Sequence, residues 1–135
     1  MPASALAKKM KLTPGARAAV INAPENYVKE LQHDTEVSRK LNGKFDWIQI
    51  FAKNQKELAS LAPRAASALK PESILWLSFP KGTSKIQTDL SRDKGWEGAQ
   101  KLDLKWVNLV SVNDDWSAFA LRPYKPGETK QTPWR

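Results

Sequence analysis

Three short segments of this chain are apolar almost without a break: ARAAVINA at 16–23, KFDWIQIFA at 44–52 and ILWLSF at 74–79. In the second, Phe45, Trp47, Ile48, Ile50 and Phe51 leave no face for water. A strand of that kind is buried on both sides, as in parallel sheets covered by helices. Helix-like segments separate the three. ENYVKEL puts Tyr27, Val28 and Leu31 on one side. Asn54 caps a second helix, with Glu57 completing a pair like a capping box, and Leu58, Leu61, Ala62, Ala65 and Leu69 recur at helical spacing. Pro63 predicts a kink or a division of that helix, and KPES at 70–73 predicts a stop. Thr88 or Asp89 is the predicted cap of a third helix running to about Gln100. Residues 32–43, QHDTEVSRKLNG, read as a loop.

The end of the chain changes character. LKWVNLVSV at 104–112 and WSAFALRP at 116–123 are two strands within hairpin distance, joined across Asn113 and Asp114. The fold class that follows is α/β: a three-layer, mainly parallel five-stranded sheet with helices on both faces and a C-terminal antiparallel hairpin strand. Residues 1–123 form a single Rossmann-like domain, and 124–135 form a flexible basic tail.

Composition narrows the chemistry. The chain has 135 residues, no cysteine and a single histidine, His33. Thiolate metal sites and disulfides are excluded, and a zinc site lacks the ligands it needs. No G-x-S-x-G elbow places a serine for a triad with His33. Asp114 and Asp115 read as turn residues rather than as a magnesium site. No metal and no cofactor is expected, and no catalytic residue emerges. MPASALAKKMKL lacks the apolar stretch of a secretory signal, and no apolar run reaches the roughly 18 residues of a membrane span. The expected location is cytoplasmic, with no membrane partner.

Parallel sheets bind ligands outside the carboxyl ends of their strands. That rule gathers Asn22 after the first strand, Lys53 after the second, and Lys81, Gly82, Thr83, Ser84 and Lys85 after the third. Asp89 and Arg92, from TDLSRDKGW, are the predicted wall of the same site. Two lysines are point charges for a phosphate or carboxylate. Gly82 lets backbone approach, and the hydroxyls of Thr83 and Ser84 can donate. The expected function is binding of an anionic small ligand or partner at this edge. The net charge of +8 supports an alternative, a nucleic-acid-associated accessory protein that holds nucleic acid weakly and without specificity at low salt.

LTPGARAAVINAPENY, FDWIQIFAKN, LWLSFPKGTSK, TDLSRDKGW and WSAFALR together resemble a family of small bacterial proteins with no assigned role, over about residues 6–122. The resemblance implies a compact α/β domain and supplies no catalytic residue. A looser similarity is to class I methyltransferases that use S-adenosylmethionine. Their sheets also end in an antiparallel hairpin strand, and their Leu-x-Pro-Gly-Gly turn is echoed by LKPES. That similarity implies a second alternative, methyl transfer. It also implies a glycine-rich turn after the first strand and a ribose-binding acid after the second. Here NAPENY has no glycine and the segment at 32–43 is short. The implied fold is reduced, with its cofactor site missing or rebuilt.

Overall fold

The computed structural model describes residues 8–13, 15–24, 27, 37–91, 94–100 and 102–129. Its elements are β1 (Ala18–Ile21), β2 (Val37–Ser38), β3 (Phe45–Phe51), α1 (Gln55–Ser67), β4 (Leu69–Pro80), α2 (Glu97–Gln100), β5 (Leu104–Ser111) and β6 (Trp116–Pro123). One six-stranded sheet has the order β2-β1-β3-β4-β6-β5. The pairs β2–β1, β1–β3 and β3–β4 are parallel, while β4–β6 and β6–β5 are antiparallel. This is the predicted α/β, Rossmann-like sheet with one strand more than five.

The additional strand is β2, two residues long and paired with Ala18 and Ala19 of β1. It lies inside the stretch read as loop. Two residues have no periodicity to detect, so only their partner reveals them. The predicted stop at KPES is also overturned: β4 runs through it. The strand absorbs the irregularity as a register shift, with Phe45 opposite Leu69 but Trp47 opposite Ile74. Both Pro71 and Glu72 are exposed there.

The two faces of β3 separate the core into two clusters. Ile48 and Ile50 join Leu75, Leu77 and Phe79 of β4 against Leu58, Ala62 and Ala65 of α1. Trp47 and Phe51 join Trp76, Trp116, Met10, Leu12 and Tyr27 on the other side. The indole N–H groups of Trp47 and Trp76 both donate to the carbonyl of Met10, at 2.7 and 2.9 Å. That shared acceptor fixes the N-terminal segment on its face. Gln49 and Ser78, polar and buried, bond to each other at 2.8 Å, and Gln49 also accepts from Tyr27 Oη at 2.7 Å. Buried polar atoms are thereby satisfied, as an interior requires.

Asn54 caps α1 as predicted, accepting from the Glu57 amide at 2.8 Å. The Glu57 carboxylate does not return to the cap. It takes the Lys53 amide at 2.8 Å instead. Pro63 does not divide the helix. Pro63 and Ala59, whose carbonyl loses its helical donor, are both exposed, so water can serve that carbonyl.

The third helix differs most from expectation. Between Asp89 and Gln100 the described residues are helical only at Glu97–Gln100. Before it, Ser91 and Lys94 exchange backbone hydrogen bonds, and Gly95 has φ +96°. A Cβ there would lie 2.8 Å from Leu90 Cδ2 and 3.0 Å from the Asp89 carbonyl. Left-handed glycine in so tight a place ends any helix entering from Asp89. Arg92 lies outside the described residues, as do His33 and most of the segment read as the first helix. Residues 124–129 are held to the domain by Glu128, which bonds Arg122 at 2.7 Å and Lys105 at 2.9 Å. The rest of the predicted tail, 130–135, lies outside the described residues. Among the described residues no helix is long and apolar enough to cross a membrane.

Candidate functional site

Because β1, β3 and β4 are parallel, Asn22, Lys53 and Lys81 emerge at one edge. β6 begins opposite the end of β4, with Trp116 paired to Pro80, so the turn at 113–115 shares that edge. The sheet order reverses between β1 and β3, since the chain goes to one side of β1 for β2 and to the other for β3. In open α/β sheets that reversal is where ligands bind.

Asn22 adopts φ +63°. Glycine usually serves such a left-handed position, and asparagine is among the few side chains that tolerate it. Its amide donates to the Phe51 carbonyl at 2.8 Å and to Glu57 Oε1 at 3.2 Å. Through Glu57 the link extends to the Lys53 amide. Asn22 thus stitches the end of β1 to the end of β3 and to the first turn of α1. Beneath it, Tyr27, Phe51 and Trp116 form an edge-to-face aromatic row with centroids 4.7 and 4.9 Å apart.

The five residues of the lysine-rich loop do not act alike. The Lys81 amide donates to the Asp115 carbonyl at 2.8 Å, and Lys81 Nζ donates to Ser111 Oγ at 2.6 Å. Ser84 Oγ donates to Asp115 Oδ1 at 3.2 Å. These two side chains dock the loop on the hairpin turn. Gly82, Thr83 and Lys85 are exposed. Beyond them the chain crosses the edge of the sheet. Ile86 packs on the cluster of Met10 and Trp116, whereas Leu90 is buried in the cluster of α1. Residues 81–90 are therefore a strap over the end of β4, not an open cradle.

Asp89 is brought to the site in a role that sequence spacing missed. Its carboxylate accepts from the Gln55 amide at 2.7 Å, and its carbonyl accepts from Gln55 Nε2 at 3.1 Å. It caps α1, whose first residue lies 34 positions upstream, rather than a helix of its own. A carboxylate at that end also suits the helix dipole. Asn113 closes the hairpin turn by accepting from the amides of Asp115 and Trp116, at 2.9 and 3.0 Å. Among the described residues no three side chains are grouped to hold a metal ion.

The sequence reading did not single out the residues after β2. Ser38 Oγ donates to the Lys40 carbonyl at 2.7 Å and accepts from its amide at 3.2 Å. This local turn carries Arg39 and Lys40, both exposed, at the carboxyl end of the strand. The only available signal was the string SRK itself, unplaced until β2 was known.

The fold has many solved counterparts. A TehB-like SAM-dependent methyltransferase from Corynebacterium glutamicum superposes with TM-score 0.62 at 12% identity, over 90% of this chain and 88% of that one. The ribosomal protein L11 methylase from Lactobacillus delbrueckii subsp. bulgaricus gives 0.54 at 12%, over 88% and 76%. A protein of the NADB-Rossmann superfamily from Streptococcus agalactiae gives 0.53 at 13%, over 98% and 72%. The chain therefore has a class I methyltransferase-like, Rossmann-like fold. No family model and no curated protein sequence matches it.

The cofactor of such methyltransferases meets a poor donor set here. The left-handed turn after β1 is kept by Asn22, but the Asn22 amide is committed to Phe51 and Glu57. Pro24 has no N–H to offer. From Arg39 through Lys44 the chain after β2 carries no acid for a ribose diol, and it carries three cations. The described residues here do not fit S-adenosylmethionine.

Proposed function

We propose that this protein is a binding domain for a phosphate-bearing small molecule laid along the carboxyl edge of its sheet. The observation that carries this reading is a set of cations at that edge, Lys53, Lys85, Arg39 and Lys40, whose side chains make no ion pair among the described residues. Gly82 and Thr83 add an accessible backbone amide and a hydroxyl. Lys81 contributes by holding the strap, with a charge that stays near the surface. Methyl transfer is the second reading. The likeness in fold favours it, and the donor set after β1 and β2 opposes it.

The test is a melting series with inorganic phosphate. Phosphate should raise the melting temperature, and ligand at a hundred times its Kd stabilises by about 2.7 kcal/mol. The double variant Lys81→Ala, Lys85→Ala should lose most of that rise. An equal rise in the variant would assign the effect to general salt stabilisation and remove the reading. Titration with S-adenosylmethionine should give a Kd weaker than about 10 μM, roughly −7 kcal/mol. Tighter binding would promote methyl transfer.

A further inference from the structure

We propose that Asn42 is a site of spontaneous covalent modification, at which the Gly43 nitrogen attacks the Asn42 side chain and converts it to aspartate and isoaspartate. The reaction needs only water as co-reactant, and it stands apart from the anion-binding edge. The Gly43 nitrogen gives its proton to hydroxide and bonds to Asn42 Cγ. The Cγ–Nδ2 bond breaks, and ammonia leaves with a hydrogen taken from water. Water then opens the resulting five-membered imide at either of its two carbonyls. Opening at Cγ gives aspartate, and opening at the main-chain carbonyl gives isoaspartate. Modifications of this kind change charge and backbone together.

The β2–β3 connection presents both reacting groups. Asn42 and Gly43 are exposed, and Gly43 has no Cβ to crowd the closing ring. Hydrogen bonds in this turn go to main-chain carbonyls. Arg17 Nη2 donates to that of Asn42 at 2.5 Å, and Arg17 Nε to that of Lys44 at 2.7 Å. The Gly43 N–H and the Asn42 side chain have no partner among the described residues. Neither the nucleophile nor the carbon it attacks is therefore held by a competing bond.

The other described asparagines are committed, and each precedes a residue with a side chain. Asn22, before Ala23, donates to Phe51 and Glu57. Asn54, before Gln55, caps α1. Asn113, before Asp114, accepts from the amides of Asp115 and Trp116. Asn108 accepts from the Leu109 amide at 2.9 Å, the very nitrogen that would have to attack it. The consequence at Asn42 falls on Arg17. Isoaspartate adds a carbon to the main chain and displaces the carbonyl that holds Arg17 Nη2. The guanidinium, 4.6 Å from the Phe45 ring centroid, then keeps the Lys44 carbonyl alone. Either product also removes one unit of the +8 net charge.

The experiment ages the full chain in buffer at neutral and mildly alkaline pH, read by ion exchange and by peptide mapping with mass spectrometry. A species less basic by one charge should accumulate, faster at the higher pH because the Gly43 nitrogen must lose its proton. Mapping should place the change at Asn42, about tenfold or more faster than at any other described asparagine, which is about 1.4 kcal/mol of barrier. Asn42→Gln, whose longer side chain would need a larger ring, should abolish that species. The position is exposed, and circular dichroism verifies that the variant folds. The isoaspartate fraction should melt below the Asn42→Asp variant, which keeps the main chain intact. An unmodified Asn42, an equal rate at another described asparagine, or the same species from Asn42→Gln overturns the proposal. Equal melting of the isoaspartate fraction and Asn42→Asp overturns the consequence for Arg17.

Discussion

At the amino end of the parallel strands Asp46 and Glu128 are paired with cations, whereas at the carboxyl end several cations make no ion pair among the described residues. Asp46 accepts from the Arg17 amide at 2.9 Å and from Lys70 Nζ at 3.2 Å. Glu128 gathers Arg122, Lys105 and the Lys125 amide. Both carboxyls are pulled below their ordinary range, Asp46 chiefly by the Arg17 amide and Glu128 chiefly by the Arg122 guanidinium. Clefts of about 550 and 620 Å³ lie at this end, and Asp46 lines one and Arg122 the other. Asp46 and Arg122 are already satisfied by the protein. At the opposite end Asn22, Glu57, Asp89 and Asp115 tie loops together, and Lys53, Lys85, Arg39 and Lys40 are exposed without an ion pair among the described residues. The contrast separates charge used to close a fold from charge left exposed.

Four sets of substitutions test that contrast. The packing of Gly95 on the end of the strap should be the most sensitive place. Gly95→Ala forces a side chain into φ +96° with its Cβ 2.8 Å from Leu90 and 3.0 Å from the Asp89 carbonyl. A loss of about 2–4 kcal/mol is expected from strain and overpacking together. Chemical denaturation measures it, and a loss under about 1 kcal/mol would mean that the strap is loosely held.

Next comes the stitch at Asn22. Asn22→Ala should cost about 1–3 kcal/mol, since alanine is strained at φ +63° and the amide's bonds to Phe51 and Glu57 disappear. Asn22→Gly keeps the turn and should cost less. Equal losses in thermal unfolding would show that the hydrogen bonds, not the left-handed turn, hold the edge.

At the amino end the signature is pH dependence. The folded Glu128 carboxyl titrates below an unfolded one, so its stabilising effect is complete above the ordinary range of about 4.3 and fades as pH falls below it. Wild type should therefore exceed Glu128→Gln in melting temperature at neutral pH, and the gap should narrow below about pH 4. A gap that persists in acid would assign the effect of Glu128 to packing.

The smallest effect on stability belongs to the free cations. Lys53→Ala and Lys85→Ala should each change stability by less than about 0.5 kcal/mol. The same variants should blunt the response to phosphate. A large loss of stability from either would reveal a structural role and erase the difference between the two ends.

Particular residues show what was legible in advance. The continuous apolar runs around Trp47 and Trp76 announced strands buried on both faces, and Asn54 announced the start of α1. Asn22, Lys53 and the 81–85 loop were placed on one edge by the general rule for parallel sheets, and they share that edge. Capping rules look a few residues ahead, so they make Thr88 or Asp89 the cap of a helix of its own. The amide that Asp89 satisfies, that of Gln55, lies 34 positions earlier. β2 escaped because two residues carry no pattern.

The sequence by itself determined the class of fold, because burial of a strand on both faces is written in its side chains and the order of strands and helices limits how they can be connected. It also determined the basic balance of the surface and the lack of thiol chemistry. Only the tertiary structure decided which polar residues are committed. Lys81 and Lys85 are alike in sequence, yet Lys81 docks on Ser111 while Lys85 stays exposed. Arg17 and Arg39 differ in the same way, one stacked on Phe45 and the other at the tip of a turn. The physical reason is that apolar periodicity is a local property, whereas a hydrogen-bond partner is chosen by whatever the fold brings within about 3 Å.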